Sequence, residues 1–130
     1  MTPTWGIDNR TVAIRIPAGP EKAKRIEHRV SGADANPYLV VASILAGIHY
    51  GITQKIEPPK ISTGNAILKH KPSLPLTWVE SLDAFSKSKI LQKYFGKEFC
   101  HVYYETKYKE MKEFDSHITP LELDWYLRTV

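Results

Sequence analysis

Hydrophobic and polar positions follow two regimes along the chain. From Thr11 to Pro17, TVAIRIP, they alternate with a period of two, placing Val12, Ile14 and Ile16 on one strand face and Thr11, Ala13 and Arg15 on the other. RIEHRV, from Arg25 to Val30, repeats the pattern, with Ile26, His28 and Val30 opposite Arg25, Glu27 and Arg29. The AGPEKAK between them has the Gly-Pro signature of a loop, so the two runs predict an antiparallel hairpin with a floppy, basic tip.

After Ser31 the period changes. Asn36 suits a helix cap and Pro37 the first helical position, and an apolar run follows until Gly51 offers a stop, which predicts a buried helix. Residues 57–76 are rich in Pro, Gly and Ser and predict an irregular connection, long enough to be functional or held by a neighbour. TWVE at Thr77 and TPLE at Thr119 match the capping box and mark two further helix starts. Between them, GKEFCHVYYETKYKEMKEF puts Tyr104, Tyr108 and Met111 on one stripe and pairs Glu105 with Lys109, the pattern of a long amphipathic helix. The last helix offers Leu123, Tyr126 and Leu127 as a buried face. The fold class expected is α+β, a charged antiparallel β-hairpin followed by a mainly helical portion.

Composition narrows the setting. At 130 residues the chain has ordinary single-domain size, and its apolar stretches fall short of the roughly 18 residues a membrane span needs. The single cysteine, Cys100, excludes an intrachain disulfide and a cysteine-built metal site; with no basic-then-apolar leader, a soluble, cytoplasmic protein is expected. A net charge of +4 tilts the choice of partner toward anions.

Charge on the hairpin is the main chemical signal. If the runs pair, Arg15, Glu27 and Arg29 share one side of a ribbon, with Arg10 before it and Lys22 and Lys24 on its loop. Guanidinium groups bind phosphate oxygens without changing protonation state, and a carboxylate among them is a natural magnesium ligand, so the set reads as a polyphosphate clamp. A solvated face in which Glu27 neutralises Arg15 and Arg29 fits the same spacing. A nucleic-acid ribbon fits less well, given Glu27 and the lack of alternating aromatic residues. His28 has the strand parity of a packed or rim histidine; Cys100 and His101, about 100° apart on a helix, read as packing and surface rather than a catalytic pair.

DNRTVAIRIP followed by KAKRIEHRVSGADANPYL closely resembles the C-terminal part of the glutamine synthetase catalytic domain, and the likeness continues through ASILAGIHYGI and more loosely to PLELDWYL. WGIDNR and GADANPYL look most like the branch of γ-glutamylputrescine synthetases and other γ-glutamyl-amine ligases. The resemblance implies a segment of an enzyme that phosphorylates the γ-carboxylate of glutamate with ATP and lets ammonia, or an amine such as putrescine, displace the phosphate. It implies that Arg10 contacts the transferred phosphoryl group and glutamate as a catalytic residue, that Arg15 and Lys22 contact the nucleotide, that Arg29 binds glutamate and that Glu27 binds metal, magnesium or manganese. It implies a homo-oligomer, a dodecamer in the full-length family, without nucleic-acid or membrane partners. Residues 1–35 would form the active-site hairpin and 36–130 the helical portion. Most of the family's active site has no counterpart here, so the chain alone is expected to be inactive. A stand-alone nucleotide-binding or regulatory relic that joins full-length subunits is the alternative.

Overall fold

A computed structural model describes residues 2–129, which fall into two compact units, one running to Leu74 and the other from Pro75. In the first, β1 (Trp5–Ile7), β2 (Ile14–Ile16) and β3 (Glu27–His28) form a sheet in that order. The expected hairpin is β2–β3, antiparallel, with Ile14 opposite His28 and Arg15 opposite Glu27. Its strands are shorter than the alternation suggested, because Pro17 and the 3-10 turn at Glu21–Ala23 end the pairing. β1 was not anticipated: it runs parallel to β2, with Trp5 beside Ile14 and Gly6 beside Arg15.

Pairing parity gives the sheet two unlike faces. Trp5, Ile14 and His28 share one, and Gly6, Arg15 and Glu27 the other. Val12 and Ala13, just before β2, are buried at 0% and 3% exposure, as is Ala66 at 3%.

The Pro-rich connection is held by its neighbour. Trp5 Nε1 donates to Pro59 O at 2.7 Å, Ser62 N donates to Trp5 O at 2.9 Å, and Ala66 N donates to Thr11 Oγ1 at 2.8 Å. Asn9 ties both ends of this contact: its Oδ1 accepts from Thr11 N and Oγ1, while its Nδ2 donates to Ser62 O at 3.1 Å and Gly64 O at 2.8 Å. Each bond satisfies a backbone group that an unsupported loop would leave to water. Within the connection lies α2 (Ala66–Lys69), one turn capped by Asn65.

α1 (Pro37–Thr53) starts as the sequence predicts, with Asn36 Oδ1 accepting from Tyr38 N and Leu39 N and Pro37 in the first turn. It runs two residues past Gly51. Its expected burial is not met, since Ala46 is its only buried described residue and Tyr38, Val41, Leu45, Ile48 and Ile52 are 44–83% exposed. Apolar composition specified the helix; no other element of the first unit covers that face.

The second unit contains α3 (Trp78–Lys87), α4 (Lys89–Phe95), α5 (Lys97–Ser116) and α6 (Pro120–Tyr126). Both capping boxes form. Ser88 ends α3 and caps α4, and Gly96, at φ 87°, lets the chain turn into α5. α3 packs on α5 through Phe85 and Tyr103, ring centres 5.2 Å apart, with Leu82, Cys100 and Met111 buried. Tyr104 and Tyr108 stack on the expected stripe, whereas the ion pair on α5 is Lys107–Glu110 rather than Glu105–Lys109. Leu123, Tyr126 and Leu127 of α6 are 49–75% exposed, so their expected burial is also not met.

Two outcomes test this architecture. A Cβ at Gly6 would stand 2.8 Å from the Ser62 carbonyl oxygen, so Gly6→Ala should push the docked connection away and cost about 1–3 kcal/mol in urea unfolding. Glu80 accepts from Leu76 N at 2.8 Å and Thr77 N at 3.1 Å, and these donors hold its carboxyl below the ordinary 4.5. A lowered folded value stabilises above pH 4.5 and is lost as pH falls through it. Glu80→Ala should therefore melt below the wild type at pH 6, by circular dichroism, with the gap closing below pH 4.5.

Candidate functional site

The polar face of the sheet carries the candidate chemistry. Arg15, centred on β2, has its side chain only 15% exposed. Its Nη1 donates to both Glu27 carboxylate oxygens, at 3.0 and 2.9 Å, across the β2–β3 pair. Its Nη2 donates to Asp8, just beyond β1. Arg15 thus sits between carboxylates from both flanking strands, while its enclosed Nε has no hydrogen-bond partner.

Arg29 lies beyond β3, its N–H bonded to Ala13 O at 2.9 Å, and its Nη1 is 3.8 Å from Glu27. Arg25 Nη2 lies 4.0 Å from the same carboxylate. The Arg15 hydrogen bond first, then the three guanidinium charges, hold the Glu27 carboxyl below the ordinary carboxylate range. Arg15 likewise lowers Asp8, and both carboxylates raise Arg15 further. Near neutral pH all three groups are charged.

An open pocket of about 640 Å³ adjoins this cluster. Arg10 and Arg15 line it, with Asp8, Asn9 and the Ile61–Gly64 stretch of the connection on its walls. Of the sequence-derived candidates, Arg15, Glu27 and Arg29 form one ion-paired group, and Arg10 joins Arg15 at the pocket. Lys22 stands exposed on the 3-10 turn, outside the pocket lining.

Sequence reasoning missed Asp8 and Asn9. Asp8 adopts φ 46°, a left-handed conformation that Asp tolerates better than most residues, and this turn follows β1, itself unforeseen. The DN pair before Arg10 carried a turn signal of that kind.

The described donors do not by themselves fit a divalent metal. Glu27 is one carboxylate beside three guanidiniums, and among the described residues no group of three or more His, Cys, Asp or Glu is placed to hold an ion. Magnesium requires about six oxygens in near-octahedral array. An oxyanion fits better, since the pocket offers two guanidiniums. Cys100 is enclosed, and burial pushes its thiol up, as expected of a packing residue; His101 is exposed. His28 lies on the apolar face, as its parity predicted. No helix among the described residues is long and apolar enough to cross a membrane.

Comparison with known proteins places this geometry in a lineage. Residues 1–126 match the family described as glutamine synthetase, catalytic domain. Gamma-glutamylputrescine synthetase PuuA of Escherichia coli K12 is 41% identical over 125 residues, covering 96% of this chain and 26% of that protein. Type-1 glutamine synthetase 2 of Dictyostelium discoideum is 42% identical over 134 residues, covering 99% and 26%. A solved structure described as apo GmaS without ligand superimposes with a TM-score of 0.78 at 27% identity, over 98% of this chain and 30% of that one. The chain spans about a quarter of the length of these curated relatives. It belongs to the glutamine synthetase family, matching part of the catalytic domain.

Proposed function

We propose that this chain is the C-terminal segment of the catalytic domain of an ATP-dependent glutamate–ammonia or glutamate–amine ligase, with the active-site hairpin in residues 1–35 and the helical portion after it. The observation that carries the reading is the pairing of Arg15 with Glu27 on one sheet face, beside a pocket that Arg10 also lines. The relatives named gamma-glutamylputrescine synthetase and glutamate–isopropylamine ligase, the latter 40% identical over 129 residues, support an amine as acceptor.

The chemistry accounts for the charges. Moving the terminal phosphoryl group of ATP onto the glutamate γ-carboxylate brings two anions together, and fixed guanidiniums offset the repulsion as charge builds on the transferring group. Arg10 holds that group and the glutamate, Arg15 the ATP phosphates and Arg29 the glutamate carboxylate, while Lys22 reaches the nucleotide from the 3-10 turn. Ammonia or an amine such as putrescine then attacks the γ-carbonyl carbon: the C–N bond forms, the C–O bond to phosphate breaks, and the nitrogen loses a proton. Magnesium or manganese would supply charge neutralisation in such a ligase, and Glu27 would offer it one carboxylate, with the rest of the shell coming from elsewhere in the ligase.

A segment holding only part of the machinery should not turn over alone. The family's homo-oligomeric assembly, and a cytoplasmic setting for an ATP-using enzyme with one enclosed thiol, belong to the same proposal.

Replacing the aligned part of the Escherichia coli gamma-glutamylputrescine synthetase with this chain should preserve formation of γ-glutamyl hydroxamate from glutamate, ATP, magnesium and hydroxylamine. Arg10→Ala or Glu27→Ala in that hybrid should lower kcat/KM by about a hundredfold or more. The isolated chain should form none. Turnover by the isolated chain at a rate typical of an intact enzyme, or an Arg10→Ala hybrid of full activity, would contradict the assignment.

A further inference from the structure

Arg15 already has two anions, and they are held unequally. Glu27 takes two hydrogen bonds from Nη1, has 30% side-chain exposure, and has Arg25 and Arg29 within 4.0 Å. Asp8 pairs with Nη2, with the Ala18 backbone N–H and the Arg10 charge also favouring its anionic form, and its side chain is 55% exposed. The Asp8 backbone is nevertheless anchored: its N–H donates to Ile16 O at 2.8 Å, and the next residue, Asn9, is bonded to Ser62 O and Gly64 O. A half-exposed carboxylate on a fixed backbone can leave by side-chain rotation alone, with no rearrangement of the turn.

Asp8 also stands on the wall of the pocket that Arg10 and Arg15 line. With Asp8 charged, those three side chains sum to one positive charge; with Asp8 neutral they sum to two. Oxyanions approaching Arg15 therefore meet a carboxylate on the nitrogen they would use, with a second guanidinium beside it. A phosphate oxygen on Nη2 would replace one charge-assisted hydrogen bond by another of the same kind, leaving the Glu27 contact intact.

We propose that Asp8 is an exchangeable internal anion: it holds Nη2 of Arg15 until a phosphate oxygen displaces it, so that it positions the guanidinium and at the same time sets the site's affinity for polyphosphate. This rests on the reading of the Arg10–Arg15 pocket as a phosphate site and adds the element that regulates occupancy. Asp8 is a positioning residue here, acting through Arg15. Weakening the competition of Asp8 for Arg15 should strengthen binding even while an ion pair of the folded chain is lost, so stability and affinity move in opposite directions.

The test is calorimetric titration of the whole 130-residue chain with inorganic tripolyphosphate in low-salt buffer at pH 7.5. Asp8→Asn keeps the shape and tolerates φ 46°, and Asp8→Gly suits that φ without any side chain. Both should bind roughly two- to fivefold more tightly than the wild type, the range expected on removing one partly exposed competing ion pair. Both should also melt at a lower temperature. In an Arg15→Gln background the gain should vanish. Equal or weaker binding by both Asp8 variants would overturn the role of Asp8 while leaving the phosphate site standing, and so would a gain that persists without Arg15. No binding by any variant would remove the phosphate site and this inference together.

Discussion

The Arg15 guanidinium is the point on which the first unit turns. It lies on the central strand of three, and its two carboxylate partners come from opposite flanks, Glu27 on β3 and Asp8 at the end of β1. Strands of two and three residues leave little room for a backbone ladder, so cross-strand side-chain pairs take a large part in fixing register. A slip of one residue in β2 would turn Arg15 toward Trp5, Pro58 and Pro59 and bring an isoleucine to the charged face. Register and chemistry are therefore specified by the same contact.

That contact has a second consequence. A mostly enclosed arginine is tolerable because both Nη atoms are paired, and the unpartnered Nε is the desolvated donor that remains. The charged surface of this sheet and its proposed capacity for phosphate are then not alternatives. Glu27 and Arg15 do pair, but the Arg15 side chain is only 15% exposed rather than on a solvated face, and the same bridge holds a guanidinium at the pocket. The docked connection completes the wall, because Asn9 fixes Ser62 and Gly64 beside Arg10.

What the sequence made legible was local. Asn36 with Pro37, Thr77 with Glu80 and Thr119 with Glu122 each carry their cap within a few residues, and all three helix starts are found where these signals lie. The alternation around Arg15 and Glu27 gave the correct common face. β1 escaped notice because WGI is too short to show a period, and its parallel partner lies beyond a turn that needs Asp8 in a left-handed conformation. Burial was misjudged for α1 and α6: an apolar stripe says which face seeks cover but not whether the chain supplies it. The candidate site divides likewise. Arg15, Glu27 and Arg29 follow from strand parity, whereas Asp8 and the connection 61–64 come together only through long-range pairing.

The state of one side chain in solution tests this account most directly. With arginine side chains labelled with nitrogen-15, the account predicts that the Arg15 Nε proton exchanges slowly and that its Nη protons give separate resonances, because rotation about Nε–Cζ is held by Glu27 and Asp8. Glu27→Gln should merge or broaden them, while Arg10, exposed on the same pocket, behaves as a freely rotating guanidinium throughout. An Arg15 side chain that averages and exchanges like Arg10 in the wild-type protein would contradict the central claim.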